Sequence, residues 1–359
     1  MILKMVKSID WILLLSVFLI FIIGLITISS AVHILDGGSK KMIIVQALAF
    51  CVGLCAMSVF IFIDYNKFKE YRRYLYVLNI FLLLLVYIPG LGVQIAGARS
   101  WINLKVLYFQ TSELVKISFI LGFASYMEDK KGEINKFKDL IPIGLYCSPV
   151  LLMLLKQPDL GTTIVFISII AGMLFVCDMD LKLIRNLILI LLISIPIIYP
   201  NLENHQKQRI DEFFDNYQLN QSIIAIGSGK VFGKGLYQGT QNRYNFLPVQ
   251  ESDFIFAVLV EETGLLGASV LCLLFLLFLI RILRIAAISK DFYGSLVCTG
   301  VLFMFLYQIV QNIGMTIGLM PITGVTLPFV SYGGSSMVTS FMALGLVLNV
   351  SMRRRKINF

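Results

Sequence analysis

Charge is scarce in this sequence: Asp, Glu, Lys and Arg make up 14% of its 359 residues, against roughly 25% in an ordinary soluble domain. Histidine is scarcer still, with only His33 and His205, which excludes a His-rich zinc or iron site. The six cysteines (Cys51, Cys55, Cys147, Cys177, Cys272 and Cys298) lie in or beside apolar runs without metal-ligand spacing, so they read as small packing residues. No Ser-x-x-Lys occurs, which excludes a penicillin-binding transpeptidase. No Gly-x-Ser-x-Gly elbow supports a Ser-His-Asp hydrolase. The glycine-rich stretch Gly227–Gly235 lacks the spacing of a phosphate-binding loop, and Asp178-Met179-Asp180 reads as an interfacial cap rather than a metal-binding pair. No internal repeat or low-complexity tract is present, which weighs against a repeat-built transporter.

What the chain has in abundance is apolar surface. Hydrophobic residues reach 58% and mean hydropathy is +0.86, more than a soluble fold of this size can hide. Runs long enough to cross a bilayer lie at roughly 11–32, 42–63, 74–90, 110–127, 140–155, 161–177, 184–199, 253–280, 292–317 and 332–350. The expected fold is an all-α polytopic membrane protein of about ten transmembrane helices, one membrane domain over 1–359. Residues 11–32 are too long for a cleavable signal and read as an anchor. An even count puts both termini on one side. The short loops of that side carry about twice the Lys and Arg of the other, including Arg72, Arg73, Lys130, Lys131, Arg281 and Arg284, so both termini are expected in the cytoplasm. The net charge of +9 then belongs to cytoplasmic loops, not to a nucleic-acid surface. The one long connection, about 200–252, is expected outside. Its glycines and apolar residues (Ile223, Ile224, Phe232) predict an ordered segment packed on the membrane face.

Polar residues in such runs are costly and need a reason. Glu113 and Lys116 are three residues apart, so they share a helix face and can pair, either as a structural ion pair or as the lining of a polar cavity. Gln308, Gln311 and Asn312 fall on one face of the ninth run, either for hydrogen bonds between helices or as the wall of a substrate groove. Asp253 opens the eighth run and Asp159 the sixth, where each is either an N-terminal cap or a reactive carboxylate. Glu261 and Glu262 lie two turns beyond Asp253, more acid than capping requires. Arg99 and Trp101 precede the fourth run, as an interfacial anchor or as a cationic, stacking site for phosphate or sugar.

Several segments together resemble the SEDS family (shape, elongation, division and sporulation), the group of RodA, FtsW and SpoVE. They are Ala96–Ile102, Ser112–Lys116, Gln157–Thr162, Gln221-Ser222 with Ala225–Gly229, Gly233–Gly235, Gly239–Gln241, Phe246–Pro248, Asp253–Ala257 and Leu327–Ser336, in that order over nearly the whole chain. The Gln-Pro-Asp-Leu-Gly-Thr and Gly-Thr-Gln…Phe-Leu-Pro forms are most similar to RodA. The resemblance implies a peptidoglycan glycosyltransferase of the bacterial cytoplasmic membrane. Such an enzyme polymerises lipid II into glycan strands at the outer face during elongation and cell-shape maintenance, beside a class B penicillin-binding protein. It implies that Asp253 matches the family's essential aspartate, Arg99 and Trp101 its loop motif, and Glu113 with Lys116 its buried ion pair. Asp159, Gln311 and Ser331 join these as candidate substrate-binding residues. The family's usual Glu-x-His-Thr-Asp is here Val249-Gln250-Glu251-Ser252-Asp253, so Glu251 stands where the histidine would.

The chemistry so implied joins two lipid-linked sugars. An α-linked donor giving a β-link inverts, so one displacement suffices, with Asp253 as general base and Arg99, Lys234 and Arg243 as candidates to balance the pyrophosphate leaving group. No cofactor is firmly implied; a divalent cation near the pyrophosphate is left open, and no protein metal ligands are expected. The alternative function is a lipid II flippase, which suits the polar helix faces equally well. A docking scaffold is a third reading, and it gives no reason for an ordered acidic site.

Overall fold

A computed structural model describes residues 9–33, 39–95, 97–103, 108–134, 136–177, 179, 183, 185–186, 217–244 and 246–353. The expected seventh span, 184–199, lies essentially outside the described residues, as do Asp178, Asp180 and the first part of the long connection.

The helices are α1 (Trp11–Ala31), α2 (Ser39–Phe62), α3 (Tyr65–Glu70), α4 (Arg72–Leu85), α5 (Thr111–Glu128), α6 (Leu140–Lys156), α7 (Leu160–Val176), α8 (Tyr217–Gly229), α9 (Thr240–Arg243), α10 (Ile255–Ala287), α11 (Phe292–Thr316) and α12 (Gly334–Arg353). Among the described residues, six are long and apolar enough to cross a membrane: α1, α2, the stretch containing α6, α10, α11 and α12. The apolar α7 is a turn shorter. Helices α4 and α5 occupy the third and fourth expected runs. Lipid-facing helices show their apolar side chains outward, as on α2, whereas α5, α11 and α12 are buried on nearly all sides and form the core. That burial explains how α5 tolerates Glu113 and Lys116.

Helix α12 packs on α2, α10 between α11 and α1, α7 on α11, and α4 on α5. At one end of the bundle Asp10 caps α1 through Leu13 N (3.0 Å) and accepts from Arg281 of α10, Nε lying 3.1 Å from both carboxylate oxygens. Nearby, Asp291 caps α11 and accepts from the Tyr65 hydroxyl at 2.6 Å.

The opposite end carries a small antiparallel sheet that the sequence reading did not contain. Its strands β1 (Gly92–Ile95), β2 (Ala98–Asn103) and β3 (Tyr108–Gln110) lie in the order β1-β2-β3. Trp101 faces Val93 on one side and Gln110 on the other. The described part of the long connection, from 217 onward, holds the helices α8 and α9. Helix α8 packs along α10, and the glycine-rich turn after it enters a break in that helix.

The break is at Gly264, at φ 69° and ψ −167°. Inside a membrane helix such a break strands carbonyls and N–H groups where no water can reach them, and it survives only if protein replaces the lost bonds. Segment 230–235 does so. Lys234 N and Gly235 N donate to Glu261 O and Glu262 O (both 3.0 Å), while Leu265 N and Leu266 N donate to Lys230 O (2.9 Å) and Val231 O (3.2 Å). The glycines that resembled a phosphate loop are therefore a close-fitting splice. A Cβ at Gly264 would lie 2.4 Å from Gly233 N and Val231 O. Gly264→Ala is expected to lower stability by roughly 1–3 kcal/mol from the left-handed φ alone, with more from the collision, read as a fall in Tm in detergent.

Candidate active site

The site is built at the sheet end, around the turn that precedes α10. Residues 250–253 are not helical, so their backbone needs partners from elsewhere: the carbonyls of Glu251, Ser252 and Asp253 each receive one, and the Gln250 side chain ties the turn to α1. Gln250 Nε2 donates to Ala31 O at the end of α1 (3.0 Å). Tyr332 N donates to Glu251 O (2.9 Å), and Ser331 Oγ to Ser252 O (2.6 Å). Asn312 Nδ2, from α11, reaches Asp253 O (3.0 Å) and Val325 O (2.9 Å). Gln46 of α2 holds the same loop from behind, bonding Ser331 O and Gly333 N.

The Asp253 carboxylate is left free by this arrangement. The sequence allowed it to be an N-terminal cap, and the structure corrects that reading: Phe254 occupies the cap position and no side chain caps the helix. Asp253 Oδ1 instead accepts from the Ser252 hydroxyl at 3.1 Å. Removal from solvent pushes its pKa above the usual carboxylate value, and the neighbouring charge of Glu251 adds to the rise, against the lowering effect of the Ser252 bond.

Beside it lies a polar cavity of about 40 Å³, lined by Gln110, Glu113, Lys116, Asp159, Thr162, Gln308 and the 324–326 segment. Gly324 joins the two features, since a Cβ there would stand 3.7 Å from Asp253 Oδ2. Glu113 and Lys116 pair at 2.8 Å and are almost wholly buried. Both readings offered for them hold, for they form an ion pair and line the cavity. Asp159 caps α7 through Thr162 N (3.0 Å), and its other oxygen accepts from Gln110 Nε2 at 3.2 Å. Gln110 ends β3, so the sheet carrying Arg99 and Trp101 is joined to the cavity wall through that residue.

Other predicted residues lie further out or serve the fold. Arg99 is half-buried, with its guanidinium 5.9 Å from the Tyr87 ring, and its backbone N donates to Gln157 O (3.1 Å). Lys234 bonds the fully buried Glu261 at 2.7 Å, so its charge is already balanced. Glu261 Oε1 also accepts from Thr240 N (2.8 Å) and Gln241 N (3.1 Å), and Glu262 accepts from Ser30 (2.5 Å). The surplus acids of α10 are thus anchors for the segment above them. Arg243 on α9 is exposed. Gln311 donates to Pro321 O (2.6 Å) and accepts from Tyr307 (3.0 Å), so it holds the 318–333 loop. Ser331 holds the Asp253 turn.

Sequence reasoning missed Gln46, Gln110, Gln250 and Gly324. An isolated glutamine in the apolar run of α2 was the signal for Gln46. Nothing in the local sequence pointed to the others. A second cavity, about 450 Å³ and apolar, opens between α6 and α7 around Ile143, Cys147 and Ile170 and has no charged residue in its lining. Among the described residues, no three His, Cys, Asp or Glu side chains gather as a metal would require.

The cell cycle protein family of FtsW, RodA and SpoVE matches residues 10–356. The chain belongs to this family. It is 36% identical to stage V sporulation protein E of Bacillus subtilis, over 86% of this chain and 87% of that one. It is 34% identical to the probable peptidoglycan glycosyltransferase FtsW of Nitrosomonas europaea, over 97% and 94%. Among solved structures, a chain from work on the structural coordination of polymerization and crosslinking by a peptidoglycan synthase complex matches at 30% identity and TM-score 0.84, covering 97% of this chain and 99% of that one. The crystal structure of the rod shape determining protein RodA of Thermus thermophilus matches at 28% identity and TM-score 0.73, covering 97% and 98%. The family assignment and the polytopic membrane fold follow from these likenesses.

Removing one partner of a buried ion pair leaves an uncompensated charge, at a cost of about 3–5 kcal/mol. Lys116→Met alone is expected to lower Tm sharply in detergent. The pair Glu113→Gln with Lys116→Met is expected to restore most of that loss.

Proposed function

We propose that this protein is a peptidoglycan glycosyltransferase that polymerises lipid II at the outer face of the bacterial cytoplasmic membrane. Relatives named for that activity and the recognised family support the reaction class. The observation that carries the mechanism is the Asp253 carboxylate: uncapped, held away from water, and at the rim of a polar cavity. With ten spans and both termini in the cytoplasm, that rim faces outside.

In the proposed step, Asp253 takes the proton from the 4-hydroxyl of the acceptor sugar as its oxygen attacks the donor's anomeric carbon. The bond from that carbon to the undecaprenyl pyrophosphate breaks on the opposite face, which inverts the α-linkage to β. An ordinary aspartate, with pKa about 3.9, is a weak base, and desolvation strengthens it. Arg99 and Arg243 remain candidates to balance the pyrophosphate, and Trp101 offers a face for stacking. Lys234 is a poorer candidate because Glu261 already holds it. Holding both substrates in one membrane plane supplies much of the acceleration. A class B penicillin-binding protein would crosslink the product. A RodA-type role in elongation rests on the Gln157–Thr162 and Gly239–Pro248 motif forms.

Purified protein given lipid II and its transpeptidase partner is expected to make long glycan strands. Asp253→Asn should abolish them while leaving Tm near the wild-type value. Unchanged synthesis by that variant would remove Asp253 as the base, and lipid II crossing the bilayer without polymer would favour the flippase.

The base acts only when ionised, so activity falls as pH drops through the Asp253 pKa. Because that pKa is raised, the fall begins at higher pH than for an ordinary carboxylate. Glu251→Gln removes a like charge and is expected to move the acid limb of the kcat profile to lower pH, and Ser252→Ala to move it to higher pH.

A further inference from the structure

Gln308, Gln311 and Asn312 share one face of α11, and all three are buried. Their side chains nevertheless behave differently. Gln311 and Asn312 are committed to carbonyls of the loop and of the Asp253 turn. Gln308 is 3% exposed, lines the polar cavity, and its Oε1 has no hydrogen-bond partner. Across the cavity, Glu113 spends Oε1 on Lys116, while Oε2 is equally without a partner. Leaving such buried groups without a hydrogen bond is costly, a penalty that a bound ligand would relieve.

The charges around the cavity select among the parts of the substrate. Glu113 and Asp159 line it and Asp253 stands at its rim, against the single cation Lys116, which Glu113 already neutralises. A pyrophosphate would be repelled. A neutral group that donates hydrogen bonds, a sugar hydroxyl or the N–H of an acetamido group, would satisfy both open oxygens. Arg99 is not among the residues lining the cavity; its guanidinium lies over Tyr87 with no carboxylate partner among the described residues.

We infer that this cavity is the acceptor-sugar subsite, with Gln308 and Glu113 Oε2 reading a hydroxyl or acetamido group, and that the donor's pyrophosphate stays outside it on the Arg99 side. The inference rests on the polymerase reading and adds a division of donor from acceptor. It makes Gln308 a residue that touches substrate, whereas Asn312 is a positioning residue that fixes the backbone of Asp253.

The test is Gln308→Leu, of similar size and without the amide, with Gln308→Met as a second variant. Replacing an unpartnered buried amide by an apolar group should leave Tm unchanged or raise it. In reconstituted protein, a lipid-linked acceptor blocked against acting as donor and a donor blocked at its 4-hydroxyl are titrated separately. The acceptor KM is expected to rise about five- to tenfold and the donor KM to stay constant, the size expected for one hydrogen bond. A rise in the donor KM alone, or unchanged kinetics in a folded variant, would overturn the assignment. Loss of the folded state in both variants would overturn it too, by showing that the amide serves packing. If the wild-type protein makes no polymer, the polymerase reading itself fails, which is a separate outcome.

Discussion

Everything at the sheet end depends on one constraint: backbone that is neither helix nor sheet, set among apolar helices, must have its polar groups bonded by other parts of the chain. The 250–253 turn meets it with Asn312, Ser331 and the N–H of Tyr332 at its carbonyls, and the Gln250 side chain ties it to Ala31 O of α1. These bonds involve two helices and a loop distant in sequence, so the turn cannot move without breaking several at once. Because other groups hold the backbone, the Asp253 carboxylate is not needed to hold the turn. Val249 and Phe329 sit at φ 53° and 62°, strained backbone on the two segments that meet there. Fixed geometry around a free acid is what a general base requires.

The same end of the molecule sorts charge by depth. Buried acids on α10 are neutralised by Lys234 and by loop N–H groups, so they add little to the field at the reacting atoms. The cavity keeps a small excess of acid. A base placed there holds its proton more readily than one in water, and an anionic leaving group gains by departing away from it.

Much of the fold was legible because hydrophobicity over twenty residues is a strong signal. Nine of the ten expected runs fall on helices, and the tenth lies outside the described residues. The Glu113–Lys116 pair was legible from spacing, and Asp159 as a cap from its place after Pro158. The sheet was not, because strands of three to six residues leave little pattern. Nor was the break in α10, whose cause is a loop some thirty residues earlier that supplies the replacement bonds. Asp253 and Asp159 look alike in sequence, each opening a helix, and only the fold shows that one caps and the other does not. Gln308 and Gln311 are likewise indistinguishable by pattern. Their difference lies in which one meets the Pro321 carbonyl.

The interruption at Gly264 bears also on how the protein sits in lipid. The long part of α10, residues 265–287, measures about 35 Å and spans a bilayer unaided. The splice bonds both parts, at Glu261 O and Glu262 O on the short one and at Leu265 N and Leu266 N on the long one, so the two lean together. A bilayer thicker or thinner than the long part would tilt them as one body and carry the carboxyl group with them. Hydrophobic mismatch would then reach the rate of sugar transfer through the lean of this one helix.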